Sequence, residues 1–351
     1  MQKGLLTMGV LIIHGGGLVD PSKAVMLRLA KQLHSKRLYN PIFLGKYSFK
    51  SLYSKDLWLK YSDGTEELLK SKRGTFFGTC RNIFLTDPDL MKDSIRTLHS
   101  ANINTIIVCG GDGSARQCAE VSNIFLKNRI NIIFAVPLTV DGINGGFSIG
   151  IEQAVRESIR QIENTVATSL ETLDDGNYSV VAVELQGRNR DDILATVLQH
   201  FYRNGHIADC GLDDILLKVV PANYETNNEK LINEINSSNK RTLILISEGA
   251  KLKVSDLQDL TKRKVRTLVI GHAVQSNNMT TDEDMQRYSD WLTDVANIIC
   301  DSPRDSYCIV NDGISRWAEP IDYYANLNPR QCQKAVISKG LEILLQNYMV
   351  K

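Results

Sequence analysis

Short runs of β-branched and other apolar residues alternate with longer amphipathic stretches along most of the chain. Several of the short runs are apolar at consecutive positions, which is typical of strands buried on both faces of a parallel sheet. The order of the two patterns predicts an α/β protein whose parallel sheets are covered by helices on both faces. The predicted strands are residues 9–13, 41–44, 105–109, 131–136, 179–185, 215–220, 242–247 and 267–270. The predicted helices are residues 22–36, 88–100, 150–167, 190–203, 227–237, 284–299 and 330–346.

The composition is that of an ordinary globular protein, with 43% hydrophobic and 23% charged residues in a chain of 351. This length predicts two domains, each with its own core, and one domain with insertions is the alternative. Lys and Arg total 41 against 40 for Asp and Glu. No net positive field is therefore available to hold a polyanion, and we expect neither nucleic acid nor a membrane as a partner.

The seven cysteines form no C-x-x-C pair and no Cys/His cluster at zinc spacing. We therefore expect neither a disulfide framework nor a structural zinc site. No apolar run reaches the roughly 18 residues that a membrane-spanning helix needs, and the first residues do not have the pattern of a secretion signal. These features predict a reduced, cytoplasmic protein.

Glycines and polar residues follow several predicted strands, where ligands bind in open α/β sheets. In the segment Gly110–Ser114, three glycines would let the backbone approach a phosphate, and the first amides of the next helix attract anions. Asp112 fits a magnesium site, because Mg²⁺ often takes only one or two protein carboxylates besides phosphate and water. The alternative is a tight turn in which Ser114 or Asp112 caps the helix.

Thr139 and Asp141 follow the predicted strand 131–136 in the same way. The Asp141 carboxylate could take the proton of an attacking alcohol, as a general base does in phosphoryl transfer. The alternative is an Asx-type turn before Gly142. The segment His14–Gly17 is similar to an esterase oxyanion loop, but a glycine turn after a first strand is common, and we discard a hydrolase interpretation.

Four other charged side chains are candidates for the same site. Arg81 and Arg188 could neutralise charge on a transferring phosphoryl group, although a single arginine is more often a surface residue. Glu248 and His272 follow predicted strands, and either could have a purely structural role. Because most of these polar groups fall at strand ends, one cleft could collect them.

Together these motifs resemble one family nearly end to end, the phosphofructokinases of the bacterial 6-phosphofructokinase type. The segments that carry the resemblance, besides the first strand and its glycines, are Gly45–Tyr47, Gly74–Arg81, Gly110–Ser114, Pro137–Asp141, Val183–Arg188, Ser247–Ala250 and Arg266–His272. The resemblance implies the phosphofructokinase fold, which is α/β with two Rossmann-like lobes, parallel-rich sheets and a site between the lobes. It implies a nucleotide-binding lobe of residues 1–152, to which 274–324 return, and a sugar-phosphate-binding lobe of 153–273, to which 325–351 return.

The resemblance also implies a catalytic group. Asp141 matches the family's base and Thr139 its neighbour, while Arg81 and Arg188 match the arginines that stabilise the transferred phosphate.

ATP and Mg²⁺ are the cofactors that the resemblance implies, with Asp112 as the metal residue. Gly113 and Leu138 occupy the positions where pyrophosphate-dependent members carry aspartate and lysine, which favours ATP as the donor. The implied nucleotide-binding residues are Gly15, Gly16, Arg81, Gly111, Asp112, Gly113 and Ser114.

A sugar phosphate is the implied acceptor. In the family, the arginine that matches Arg266 comes from a neighbouring subunit, so we expect a homo-oligomer, either a dimer or a tetramer. The implied substrate-binding residues are Thr139, Asp141, Gln186, Gly187, Arg188, Glu248, Arg266 and His272.

The chain departs from the family at several acceptor positions. Gln275 and Ser179 stand where family arginines hold the sugar 6-phosphate, and Ile143 replaces a second aspartate. A hydrogen bond to a charged group contributes about 1.5–3 kcal/mol, so the loss of two arginines is expected to weaken fructose 6-phosphate binding by roughly 3 kcal/mol or more. Beside the nucleotide, Gln117 or Cys118 replaces a small residue, which puts the usual adenine contacts in doubt.

The expected function is transfer of a phosphoryl group from ATP to a hydroxyl of fructose 6-phosphate or a related sugar. A non-catalytic or regulatory paralogue that binds nucleotide or sugar phosphate is the main alternative, and the altered acceptor positions favour it. An NAD or lipid kinase with a similar glycine loop is a third interpretation, but such kinases are not expected to have the segments Gln186–Arg188 and Gly271–His272.

Overall fold

The computed structural model describes residues 8–16, 19–70, 76–80, 87–141, 148–170, 179–187, 190–204, 206–207, 210–211, 215–271, 282–302, 305–311, 315–323 and 339–349. The chain forms two compact units. One consists of Met1–Thr139, Gly146–Gly150 and Ser276–Cys332, and the other of Val140–Gly145, Ile151–Gln275 and Gln333–Lys351. The nucleotide-binding and sugar-phosphate-binding roles of the two lobes remain predictions.

Strands and helices alternate along most of the chain, as the hydrophobic pattern predicts. The strands are β1 (Met8–His14), β2 (Tyr39–Gly45), β3 (Trp58–Lys60), β4 (Ile103–Gly110), β5 (Asn131–Pro137), β6 (Val180–Leu185), β7 (His206–Ile207), β8 (Cys210–Gly211), β9 (Ile215–Val220), β10 (Arg241–Ser247), β11 (Val265–Ile270), β12 (Tyr307–Asn311) and β13 (Arg316–Pro320). The helices are α1 (Val19–Ser35), α2 (Thr65–Lys70), α3 (Pro88–Ser100), α4 (Asp112–Lys127), α5 (Ile151–Leu170), α6 (Asp191–Asn204), α7 (Asn228–Ser237), α8 (Val254–Leu260), α9 (Asp282–Asp301) and α10 (Lys339–Tyr348).

The first unit contains a seven-stranded sheet in the order β13-β12-β5-β4-β1-β2-β3. Its inner strands are parallel, and the pairs β2–β3 and β12–β13 add an antiparallel strand at each edge. Every residue of β5 is buried, because this strand has neighbours on both sides and apolar side chains at almost every position. The predicted parallel sheet is therefore confirmed, and β3, β12 and β13 are strands that the pattern did not predict.

The second unit contains a four-stranded parallel sheet in the order β11-β6-β10-β9. Alternate residues of its central strands enter two separate cores, since successive side chains of a strand point to opposite faces. Leu243 and Leu245 pack in the core that includes α6, and Ile244 and Ile246 pack in the core that includes α7 and α8. Helices thus cover both faces of this sheet, as predicted. In the part of the chain that the structure describes, no helix is long and apolar enough to cross a membrane.

Candidate active site

The loop between β4 and α4 leads into a helix whose cap residue has no side chain. Gly111 is the N-cap residue, in an extended conformation, and α4 begins at Asp112. The alternative in which Ser114 or Asp112 caps this helix is therefore wrong. Because glycine has no side chain, the cap residue provides no side-chain hydrogen-bond acceptor for the first amides of α4. The positive end of the helix dipole is then available to a phosphate group.

The glycines around this loop have two different roles. A Cβ added at Gly15 would collide with the Ser114 hydroxyl, and one at Gly110 would lie 2.5 Å from it, so both glycines make room for the buried Ser114. At Gly113, no described residue places an atom within 4 Å of an added Cβ. Gly16 has a φ of 100°, which favours glycine. Among these four glycines, Gly113 alone has no atom of the described residues near an added Cβ.

These residues fit a magnesium nucleotide. The open side at Gly113 and the uncapped helix start suit a phosphate chain, and the partly exposed Asp112 offers one carboxylate. The described residues contain no group of three or more His, Cys, Asp or Glu side chains that could share a metal ion. Asp112 could contribute one carboxylate to a Mg²⁺ ion whose other ligands are phosphate oxygens and water, as this ion commonly binds.

The ends of β4 and β5 are joined directly, which brings Thr139 to the glycine loop. The Leu138 N–H donates to the Gly110 carbonyl over 2.8 Å, and a Cβ at Gly111 would lie 3.3 Å from the Thr139 Cβ. The Ser148 hydroxyl donates to the Thr139 carbonyl over 2.7 Å. Asp141 follows two residues later and is partly exposed.

Two other family-like segments meet beside the first strand. The Tyr47 N–H donates to the Phe77 carbonyl over 2.7 Å, and the Tyr47 ring occupies the space that a Cβ at Gly78 would need. Lys46 Nζ lies 4.7 Å from the centre of the Phe76 ring. This contact orients the segment that leads to Arg81, while Arg81 itself lies outside the described residues, as do Arg188 and His272.

His14 lies fully buried at the end of β1, directly before Gly15. Burial lowers the pKa of its imidazole to about 4, and a smaller effect of the Gly78 backbone, which favours the protonated ring, opposes this shift. The side chain is therefore neutral at pH 7. The sequence singled out His14 only as part of the discarded esterase-like loop.

Four of the predicted acceptor residues, Gln186, Gly187, Glu248 and Arg266, divide into two groups at opposite ends of the second sheet. Gly187, at a φ of 122°, donates its N–H to Glu248 Oε2 over 2.9 Å, so β6 and β10 bring these two residues together. Gln186 lies next to Gly271, since its Nε2 would be 3.6 Å from a Cβ there. Gln186, Gly187 and Glu248 thus share the carboxyl edge of the second sheet.

Arg266 lies near the other end of the same sheet. It is the second residue of β11 and pairs with Val181, whereas Ile270 pairs with Leu185 at the end of β6. At about 3.3 Å per residue, Arg266 is about 13 Å from the end of its strand. Its Nη1 donates to the buried Ser169 hydroxyl over 2.8 Å.

Ser179, which stands at a family arginine position, has a structural partner that the sequence did not reveal. Arg263 Nε donates to the Ser179 hydroxyl over 3.1 Å, and Arg263 Nη2 donates to the Ser179 carbonyl over 2.9 Å. The same guanidinium donates to Ile235, Thr242 and Lys240. Burial lowers the pKa of Arg263 from its usual value. Arg263 thus joins the starts of β6 and β10 to the segment before β11.

A family model described as phosphofructokinase matches residues 9–288. The chain belongs to the phosphofructokinase family. Among curated phosphofructokinases, the ATP-dependent 6-phosphofructokinase of Actinobacillus pleuropneumoniae is 23% identical over 207 residues, and that of Staphylococcus epidermidis is 26% identical over 214. The match with the Actinobacillus protein spans 58% of this chain and 58% of that relative. The match with the relative from Spiroplasma citri spans 79% of both chains at 25% identity.

Solved phosphofructokinase structures share the fold. The Saccharomyces cerevisiae phosphofructokinase superposes with a TM-score of 0.69 at 17% identity, covering 97% of this chain and 50% of that one. The pyrophosphate-dependent phosphofructokinase of Nitrosospira multiformis superposes with a TM-score of 0.63 at 14% identity, covering 98% of this chain and 92% of that one. The predicted phosphofructokinase fold is confirmed, and because one neighbour is pyrophosphate-dependent, the fold alone leaves the phosphoryl donor undecided.

Proposed function

We propose that this chain is a kinase that transfers the γ-phosphoryl group of ATP to a hydroxyl of fructose 6-phosphate or a related sugar phosphate. The observation that carries the proposal is the loop from Gly110 to Ser114, which presents an uncapped helix start, an open side at Gly113 and the Asp112 carboxylate. Thr139 lies against this loop, and the proposed base Asp141 follows it.

ATP is the proposed donor rather than pyrophosphate. The space beside Gly113 would be taken by the aspartate that pyrophosphate-dependent members carry there, and Leu138 is buried and bears no charge. When bound, Mg²⁺-ATP supplies the phosphoryl group and the cation that offsets its charge. The amides at the start of α4 would bind phosphate oxygens, and Asp112 would hold the magnesium ion.

The acceptor side is assigned to the second sheet and to Asp141. The Asp141 carboxylate takes the proton of the attacking hydroxyl, which makes the oxygen a better nucleophile as it meets phosphorus. Glu248 accepts hydrogen bonds from sugar hydroxyls with the carboxylate that the Gly187 N–H orients. Arg81 and Arg188 are proposed to offset negative charge on the transferred group, and His272 to bind the sugar phosphate.

The position of Arg266 supports a shared site in a homo-oligomer. Arg266 and Glu248 lie at opposite ends of one sheet, so they are too far apart to hold the same small sugar within one chain. We propose that Arg266 serves the acceptor site of a neighbouring subunit.

A binding protein without catalytic activity is the second candidate, because Ser179 is committed to Arg263 rather than to a phosphate. The test is a coupled assay of the purified chain with ATP or pyrophosphate and a panel of sugars and sugar phosphates. ATP-dependent phosphorylation of a sugar phosphate is expected. Binding of both ligands without turnover would favour the second candidate, and turnover with pyrophosphate alone would reverse the assignment of the donor.

A further inference from the structure

A closed series of contacts surrounds Glu248 at the carboxyl edge of the second sheet. Its carboxylate accepts from the Gly187 N–H, and the Gly187 carbonyl accepts from the Arg190 N–H over 2.9 Å. Asp191 follows Arg190, and its Oδ1 accepts from the Ser247 hydroxyl over 2.6 Å. Ser247 directly precedes Glu248, which closes the series. The Glu248 side chain is thus held by Gly187, and the preceding residue Ser247 is held by Asp191.

Asp191 is the charged group of this series, and it is 1% exposed. Besides Ser247, it accepts from the Ala222 N–H over 2.8 Å and from both the backbone N–H and the side-chain Nδ2 of Asn223 over 2.9 Å. One carboxylate therefore joins the start of α6, the end of β10 and the loop after β9. A buried charge needs such partners, and four hydrogen bonds to it define the position of the surrounding backbone closely.

We infer that Asp191 is a positioning residue for acceptor binding, acting through Ser247 on Glu248. This inference rests on the proposed function of Glu248. Asp191 does not itself contact the sugar. Its role is to hold the peptide at Ser247 and Glu248 so that the Glu248 carboxylate meets both the Gly187 N–H and the sugar hydroxyls. Small displacements of a binding group cost substrate affinity, because the hydrogen bonds to the substrate depend on its placement.

The test compares two variants with a matched control. Ser247→Ala removes only the hydroxyl that donates to Asp191. Asp191→Asn keeps the shape of the side chain but replaces one accepting oxygen with an NH2 group, which cannot accept from the donors around it. Ser158→Ala is the control, because Ser158 is also buried in the second unit. Among the described contacts, its hydroxyl donates only to the Ala154 carbonyl in the same helix. Steady-state kinetics with fructose 6-phosphate and ATP, calorimetric binding of fructose 6-phosphate and urea unfolding are measured for each protein.

We expect the KM for fructose 6-phosphate to rise about threefold in Ser247→Ala and about tenfold in Asp191→Asn, with the KM for ATP unchanged. The control is expected to change stability alone.

If Asp191→Asn does not fold, Ser247→Ala decides the test. An unchanged acceptor KM in a folded Ser247→Ala protein, beside an active wild type, overturns the inference and leaves the proposed function standing. A wild type that binds fructose 6-phosphate without turnover, and loses affinity in the variants, overturns the proposed function and supports the inference. A wild type that neither phosphorylates nor binds fructose 6-phosphate or any other sugar phosphate of the panel overturns both.

Discussion

The Thr139 side chain lies against Gly111, with 3.3 Å between its Cβ and the position that a Cβ would occupy at Gly111. Any larger residue at position 111 would press on Thr139. The N-cap of α4 and the residue that follows β5 and Leu138 are therefore in direct contact, and the proposed phosphate loop is placed by the ends of β4 and β5.

Asp141→Asn is expected to lower kcat at least about a hundredfold, because a general base contributes roughly 10² to 10⁴ to the rate. The KM for the acceptor should change little, since the amide keeps the size of the carboxylate. Asp259→Asn, at an exposed position on α8, is the control and should behave as the wild type. Wild-type turnover in a folded Asp141→Asn protein would exclude Asp141 as the base.

Gly113→Asp is expected to raise the KM for ATP more than about tenfold, because the new carboxylate would enter the space proposed for the phosphate chain and repel it. Gly340→Asp is a closely matched control. Gly340 is also the second residue of a helix, and no described atom lies within 4 Å of a Cβ added there. An equal KM for ATP in the two variants would show that the phosphate chain of the nucleotide does not bind beside Gly113.

The double variant Ser179→Arg, Gln275→Arg is expected to lower the KM for fructose 6-phosphate with little change in kcat, because the new arginines would bind the phosphate equally in ground and transition states. It should also lose about 1 kcal/mol of stability, since the hydroxyl that accepts from Arg263 is removed. Urea unfolding measures that loss. If the natural acceptor lacks a distal phosphate, the same change should instead impair its phosphorylation.

The lowered pKa of the buried His14 predicts that the protein loses stability in mild acid. The pKa of its imidazole is about 4 in the folded chain, below the ordinary value of 6.5, so the unfolded chain binds the proton first as the pH falls. The free energy of unfolding should therefore drop by about 2 kcal/mol between pH 7 and pH 5 through this group. His14→Gln, which cannot titrate, should remove that part of the pH dependence in urea unfolding curves. A pH profile identical to that of the wild type would show that His14 has no such role.

The central strands of both sheets could be predicted from sequence because they are buried on both sides and apolar at consecutive positions. The edge strand β13 could not be predicted. Its residues, Arg-Trp-Ala-Glu-Pro, are partly or fully exposed, and the strand is extended mainly because it pairs with β12. Propensity is a weak guide at sheet edges, where the neighbouring strand decides the conformation.

The glycine loop and Glu248 were also within reach of sequence analysis, because they follow predicted strands. Asp191 and Arg263 were not. Asp191 meets Ser247 across 56 positions of the chain, and Arg263 meets Ser179 across 84. Nothing local marks either residue, since an acidic residue at a helix start and a basic run before a strand are ordinary surface patterns.

The separation of Arg266 and Glu248 along one sheet has a genetic consequence. If each acceptor site takes Glu248 from one chain and Arg266 from its neighbour, then Glu248→Gln and Arg266→Ala chains are each defective alone but complement each other when mixed. In a mixed dimer one site receives both altered residues and the other receives neither. Random pairing of equal amounts would restore about a quarter of the wild-type sites. Two loss-of-function alleles of this single gene could then rescue one another in the same cell.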